Sequence, residues 1–306
     1  MVIQKKNKRI RWIVACLLLI TAAVVALNEW LPVSAGRRAS RANGSACSLY
    51  SSHAVLMRLE DGEILLDRNG GQSIFPASLT KIMTVLVAIE HTDDLRRTVT
   101  MDPTWYDELI AADAAMAGFL PGERVTVKDL MAGAILASGA ECCAALAAET
   151  AGNQTGFVDM MNQKAQEIGM NSTHFSNATG LHNEQHVTTA KDLALLLRRA
   201  LQNKTFRTIF TTKRYSVRPT NRHPQGITLT SSLFTKMSSA SFPGGQILGG
   251  KTGYTNQAGL CLATLAVRDG TEYILITAGA NGDHRTEQYN ILDAMAVYNQ
   301  SEFYEP

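Results

Sequence analysis

The chain has 306 residues, 45% of them apolar and 18% charged, enough to bury one large core or two lobes and too apolar for a disordered protein. Its formal charge of +2 conceals an asymmetry, because residues 1–41 hold eight basic side chains and a single acid, Glu29. That leaves 21 basic and 26 acidic residues beyond position 41, a balance near −5 that argues against a nucleic-acid partner.

The basic run Lys5–Arg11 precedes an uncharged apolar stretch from Trp12 to Leu27. A positive end retained inside, followed by a membrane-seeking segment, is an export signal. Val33-Ser34-Ala35 offers a small-x-small cleavage site, so residues 1–35 are either a removed signal peptide or an uncleaved anchor reaching through Trp30 and Leu31. Retention is slightly favoured. Residues 36–50, rich in Ser, Ala, Gly and Arg, read as a linker.

From there the elements follow in order. Ala54–Met57 and Ile64–Leu66 flank Glu60-Asp61-Gly62-Glu63 as a hairpin. An apolar helix is expected from Ser78 to about Ile89, and Thr126 with Asp129 caps another over Val127–Leu136. Further helices are predicted over Glu141–Thr150, over Phe157–Ile168 with Gly169 as stop, and from Thr189 to about Leu201. Short strands then read at 214–217, 227–230, 249–254, 259–267 and 273–278, before an amphipathic helix at 285–299. Such an order suits an α/β domain over 51–300, an antiparallel sheet shared by the first and last segments and interrupted by an all-helical insertion at about 92–204. The five cysteines, Cys16, Cys47, Cys142, Cys143 and Cys261, show no metal-ligand spacing and read as small buried residues; no metal or other cofactor is expected.

Three short motifs carry the chemistry. Ser78 and Lys81 stand three residues apart at the expected helix start, on one face and one turn apart. An amine held in a partly dry cleft beside other cations is neutral enough to take a hydroxyl proton, and a helix N-terminus favours the anion formed. Ser-x-x-Lys alone is common. Here it is followed by Ser138-Gly139-Ala140 at a helix junction and by Lys251-Thr252-Gly253 on a strand. That ordered set is the one used by β-lactamases and penicillin-binding proteins.

From about Ser52 to Asn281 the sequence resembles the low-molecular-mass penicillin-binding proteins that act as serine-type D-Ala-D-Ala carboxypeptidases. The resemblance extends to Pro76–Thr84, to Met161-Asn162-x-Lys164-Ala165 with Gly169-Met170, to Gly180-Leu181 and to His186-x-Thr188-Thr189-Ala190. Gly250–Thr255 and Ala258-Gly259-Leu260-Cys261 match as well. It implies a β-lactamase/D,D-peptidase-like fold, with Ser78 as acyl-ester nucleophile, Lys81 as general base and Ser138 as proton relay. Lys251 and Thr252 would take the substrate's terminal carboxylate, with Lys251 also helping to keep Lys81 neutral. Gly253 and Tyr254 would line the substrate strand, the N–H groups of Ser78 and Tyr254 forming the oxyanion hole. Implied partners are peptidoglycan stem peptides ending in D-Ala-D-Ala, β-lactams as covalent inhibitors, and the membrane through the N-terminal segment. The implied location is the outer face of the cytoplasmic membrane or the cell wall. Only about 50 residues follow Lys251-Thr252-Gly253, so no C-terminal β-domain is expected.

The chain departs from the family at Ala140, where the family has an asparagine. Glu141 follows, and its carboxylate either approaches the two lysines in place of that amide or sits as an acid at the helix dipole. His186 reads as a structural hydrogen bonder in the loop before Thr189. A class A-like β-lactamase is the nearest rival, with Glu167 as its deacylating acid. A weakly active penicillin-binding scaffold of the cell wall is the rival from another class.

Overall fold

The β-rich start and end of the chain meet in one sheet, as their order requires. The computed structural model describes Ser48–Tyr304. In chain order its elements begin β1 (His53–Arg58), β2 (Ile64–Arg68), α1 (Thr80–Glu90), β3 (Thr98–Thr100), α2 (Tyr106–Ala111) and β4 (Arg124–Thr126). Four helices follow closely: α3 (Val127–Leu136), α4 (Ala140–Ala151), α5 (Gln154–Glu167) and α6 (Ala190–Leu201). Next come α7 (Lys204–Phe210), β5 (Arg214–Val217), β6 (Ile227–Thr230), α8 (Ser232–Lys236) and β7 (Ser241–Phe242). The chain closes with β8 (Gly245–Thr255), β9 (Gly259–Arg268), β10 (Thr271–Ala280) and α9 (Tyr289–Asn299).

The main sheet is antiparallel, in the order β2-β1-β10-β9-β8-β7. β1 runs unbroken against β10, from His53 opposite Ala278 to Arg58 opposite Tyr273. Strand alternation divides the core in two. Val55, Met57, Ala263, Leu265 and Ile276 face the helical side, while Ala54, Leu56, Leu262, Ala266 and Leu275 face α9 and its Ile291, Val297 and Tyr298. α1 is buried from Thr80 to Ala88. A helix apolar all round belongs at the centre of a bundle, and α1 packs against α3, α4, α5, α6 and α7.

Thr126 and Thr189 accept from the N–H groups of Asp129 and Asp192, so both predicted caps form. Three helix starts move, and β8 begins at Gly245 rather than 249. Ser78 stands in a short 3-10 turn, Ala77–Leu79, and α1 proper begins at Thr80. α5 starts before Phe157 because Asn153 caps it, its side chain accepting from Gly156 N at 2.8 Å. α9 starts at Tyr289, since the Asp283 carboxylate ties residues 283–286 into a turn by accepting from the N–H groups of Arg285 and Thr286. The β3–β4 pair and the short α2, α7, α8 and β7 had no clear periodicity to announce them. Cys142, Cys143 and Cys261 are free and buried, as expected. Cys16, Cys47, the N-terminal segment and most of the linker lie outside the described residues. Among the described residues no helix is long and apolar enough to cross a membrane.

Candidate active site

The nucleophile turn is built on strained backbone. Ala77 has φ +47°, a left-handed value that is costly for a residue with a Cβ. It is held because Gly180, itself at φ +81°, lies directly against it; a Cβ on Gly180 would stand 1.9 Å from the Ala77 carbonyl oxygen. Only glycine fits there. The Gly180 loop is organised by Asn177, whose side-chain oxygen accepts from Thr179 N at 3.1 Å, Thr179 Oγ1 at 3.0 Å and Gly180 N at 2.7 Å. On the other flank β8 passes so close that a Cβ on Gly253 would lie 3.1 Å from Ser78 N.

His186 braces the same turn from behind. Its Nδ1 accepts from Ser176 N at 2.9 Å, which places its proton on Nε2. Nε2 then donates to Thr80 Oγ1 at 2.8 Å, leaving the Thr80 hydroxyl to donate to the Ala77 carbonyl at 2.8 Å. Burial holds the imidazole neutral, pushing its pKa down to about 4. The expected structural role is what the geometry gives, extended to the turn that carries Ser78.

Lys81 Nζ lies 3.0 Å from Ser78 Oγ and donates to the Thr179 carbonyl at 2.5 Å. The side chain is 2% exposed, and burial pushes its amine below the ordinary lysine value. Across the cleft, Lys251 Nζ donates to Ser138 Oγ at 2.9 Å and to the Thr252 carbonyl at 2.7 Å. Burial, then repulsion from Lys81, depress Lys251 well below its usual value. Repulsion between two amines is mutual, so their protonation is a property of the pair.

Ser138 is left-handed too, at φ +63°, in a turn closed by Gly139 N donating to Gly133 O at 3.0 Å and Ala140 N to Ala115 O at 2.8 Å. Ser78, Lys81, Ser138, Thr252, Gly253 and Tyr254 line one cleft of about 560 Å³, with Lys251 directly beneath Ser138. Those seven predicted residues are therefore brought together. Glu141 is not among them. Its carboxylate accepts from Ala117 N at 2.7 Å and Gly118 N at 2.9 Å and makes no ion pair with either amine, although its charge favours the protonated form of Lys81 from a distance. Burial pushes its carboxyl up. Of its two readings, the hydrogen bonds do not give contact with the lysines in place of the family's asparagine: Glu141 sits in the first turn of α4 and pins the 117–118 backbone beside the cleft. The group that takes up Lys81 is the Thr179 carbonyl, a backbone oxygen with no residue-type signature. Ala140 lines the cleft. Glu167, the acid required by the β-lactamase reading, holds Lys164 at the end of α5 and lines no part of it. Among groups that the motifs did not mark, Asn177 was legible only as loop polarity, and Ser232 and Lys236 on α8 not at all; the latter two line the cleft.

A serine in the turn that opens a buried helix and a lysine in that helix's first turn, facing the lysine-bearing strand β8 of an antiparallel sheet, define the penicillin-recognising D,D-peptidase class of fold. The chain belongs to the D-alanyl-D-alanine carboxypeptidase family, peptidase S11, which it matches over residues 39–282. It is 32% identical to the D-alanyl-D-alanine carboxypeptidase DacF of Bacillus subtilis over 229 residues, 74% of this chain and 57% of DacF. To DacB2 of Mycobacterium tuberculosis it is 31% identical over 223 residues, 72% of each chain. The crystal structure of the Streptomyces K15 DD-transpeptidase superposes with a TM-score of 0.74 at 25% identity, covering 84% of this chain and 98% of that one. The chain thus spans little more than half the length of DacF.

Proposed function

We propose that this protein is a serine D-Ala-D-Ala carboxypeptidase that removes the terminal D-alanine from peptidoglycan stem pentapeptides. The observation that carries this reading is the Lys81 amine, desolvated and 3.0 Å from Ser78 Oγ. Ser78 Oγ attacks the carbonyl carbon between the two D-alanines as Lys81 takes its proton. The amide bond breaks, the departing amine receives a proton through Ser138, and water hydrolyses the resulting ester with Lys81 again as base. N–H groups of Ser78 and Tyr254 stabilise the oxyanion, about 3 kcal/mol for each donor in comparable sites. Thr252 donates to the substrate's terminal carboxylate, and Lys251, with Ser138 between it and the cleft, tunes the proton balance of Lys81.

β7 pairs with β8 only at Gly245 and Gln246, so among the described residues the outer edge at Lys251–Thr255 has no strand partner. An extended peptide adds to such an edge by main-chain hydrogen bonds. The same reading places residues 1–35 as signal or retained anchor, 36–50 as linker and 51–300 as the catalytic domain, acting outside the cytoplasmic membrane. Penicillin is then a covalent inhibitor.

Labelled penicillin tests the nucleophile: Ser78→Ala is expected to abolish covalent labelling, and labelling that persists overturns the scheme. Incubation with a pentapeptide muropeptide, with mass detection, is expected to show loss of one alanine. A product joined to an added amine instead would make the protein a transpeptidase, and no product would leave a penicillin-binding scaffold.

A further inference from the structure

Glu141 is a buried acid that the chemistry above leaves unused. It stands in the first turn of α4, close behind Ser138 in the chain. Its Oε1 accepts from both Ala117 N and Gly118 N, while Oε2 is buried with no hydrogen-bond partner among the described residues. Oε2 packs instead against Gly139, where an added Cβ would stand 2.9 Å from it and 2.7 Å from the Ala117 Cβ.

The segment that Glu141 grips is fixed from elsewhere. Tyr106 Oη donates to the Phe119 carbonyl at 2.8 Å, and the Glu123 carboxylate accepts from Leu120 N at 2.8 Å. Residues 112–115, just before it, line the cleft together with Ser138. The Ala115 carbonyl accepts from Ala140 N, a hydrogen bond that closes the Ser138 turn. Ser138 is left-handed, a conformation that a residue with a Cβ keeps only where its surroundings impose it. Two links from the 115–118 segment impose it here, one through backbone and one through the Glu141 carboxylate.

Resting on the acyl-transfer reading above, we propose that Glu141 is the positioning residue of the Ser138 proton relay. It ties the start of α4 to residues 117 and 118 and thereby holds the Ser138 hydroxyl between Lys251 and the departing group. It acts by reach, not by charge. Such a residue matters only where the leaving group needs a proton. When an amide C–N bond breaks, the departing amine takes the Ser138 hydroxyl proton, which a lysine ammonium replaces. When a thioester C–S bond breaks, the thiolate leaves with the electron pair and takes none.

The test compares an acyl-D-alanyl-D-alanine with the thioester that joins the same acyl-D-alanyl group to thioglycolate. In Glu141→Ala the ratio of kcat/KM, amide over thioester, is expected to fall about thirtyfold. Adding Glu141→Ala to Ser138→Ala should lower the ratio no further than Ser138→Ala alone. Glu141→Gln keeps an oxygen of the same reach and should stay within about threefold of wild type, whereas Glu141→Asp, a methylene short with its charge intact, should lose about tenfold. If Glu141→Ala does not fold, the Gln and Asp variants decide. Gln impaired with Asp intact would mean a charge effect on Lys81; equal loss on both substrates would mean a purely structural role; unchanged ratios would mean no role. Each of these overturns the proposal. A wild type active on the thioester alone has no working relay to position, which overturns this proposal and leaves acylation standing. A wild type acylated by neither compound refutes the acyl-transfer reading, and this proposal with it.

Discussion

The two walls of the cleft are held in different ways. On the nucleophile side, buried side chains are fixed by backbone from far along the chain: the Thr179 carbonyl on Lys81, the Gly180 loop under Ala77, the 117–118 amides on Glu141. On the α8 side, side chains meet other side chains, as Lys236 meets Gln288 and Ser232 meets Thr252. Reaction geometry tolerates little displacement, and backbone packed on backbone cannot swing. A recognition wall need only present charge and hydrogen bonds, and its side chains can adjust to what arrives.

The sharpest way to break that contrast is Gly180→Ala. Its Cβ would meet the Ala77 carbonyl at 1.9 Å on a residue already at positive φ. We expect a loss of about 4 kcal/mol in urea unfolding and roughly a hundredfold slower penicillin acylation by the protein that remains folded. Wild-type acylation in this variant would show that the turn holds itself.

The next effect is pH-dependent. Buried His186 resists protonation until about pH 4, whereas in the unfolded chain it takes a proton near 6.5. The unfolded state therefore binds more protons in that window, and stability, full above 6.5, falls as pH drops towards 4, by up to about 3 kcal/mol. Unfolding curves at pH 7 and pH 4 measure it, and His186→Gln should flatten the slope. A slope that His186→Gln leaves unchanged would place the sensitivity elsewhere.

Ala140→Asn should do least. Lys81 already has the Thr179 carbonyl, so an added amide has no vacant role and acylation should stay within about threefold of wild type. A sharp rise would mean that the native site lacks something only the asparagine supplies.

How far the sequence discloses this site follows from the same division. Ser78 with Lys81, Ser138, and Lys251 with Thr252 were legible because side-chain identity and spacing carry their chemistry. So was the shared sheet, since the apolar runs of β1, β9 and β10, buried on both faces, stand at the two ends of the helical stretch. Thr179 was not, because the group that matters is a carbonyl, and carbonyls are in every residue. Which of its two readings Glu141 follows was not legible, because its partners, the amides of residues 117 and 118, lie over twenty residues away and have no composition to betray them. Lys236 sits on a five-residue helix, too short for periodicity to mark which face it shares with Ser232.

The edge of β8, unpaired among the described residues, has a consequence beyond the peptide binding proposed for it. An open strand edge is an invitation to other sheets, and proteins that leave one on their surface risk stacking edge to edge. Here the free stretch lies at the floor of a cleft, with the Ser78 turn on one side and α8 near the other. A single extended peptide can thread that space, while a whole sheet is too broad to enter. The walls that assemble the chemistry thus also act as a gatekeeper against self-association, letting the molecule keep one reactive edge without becoming a template for its own aggregation.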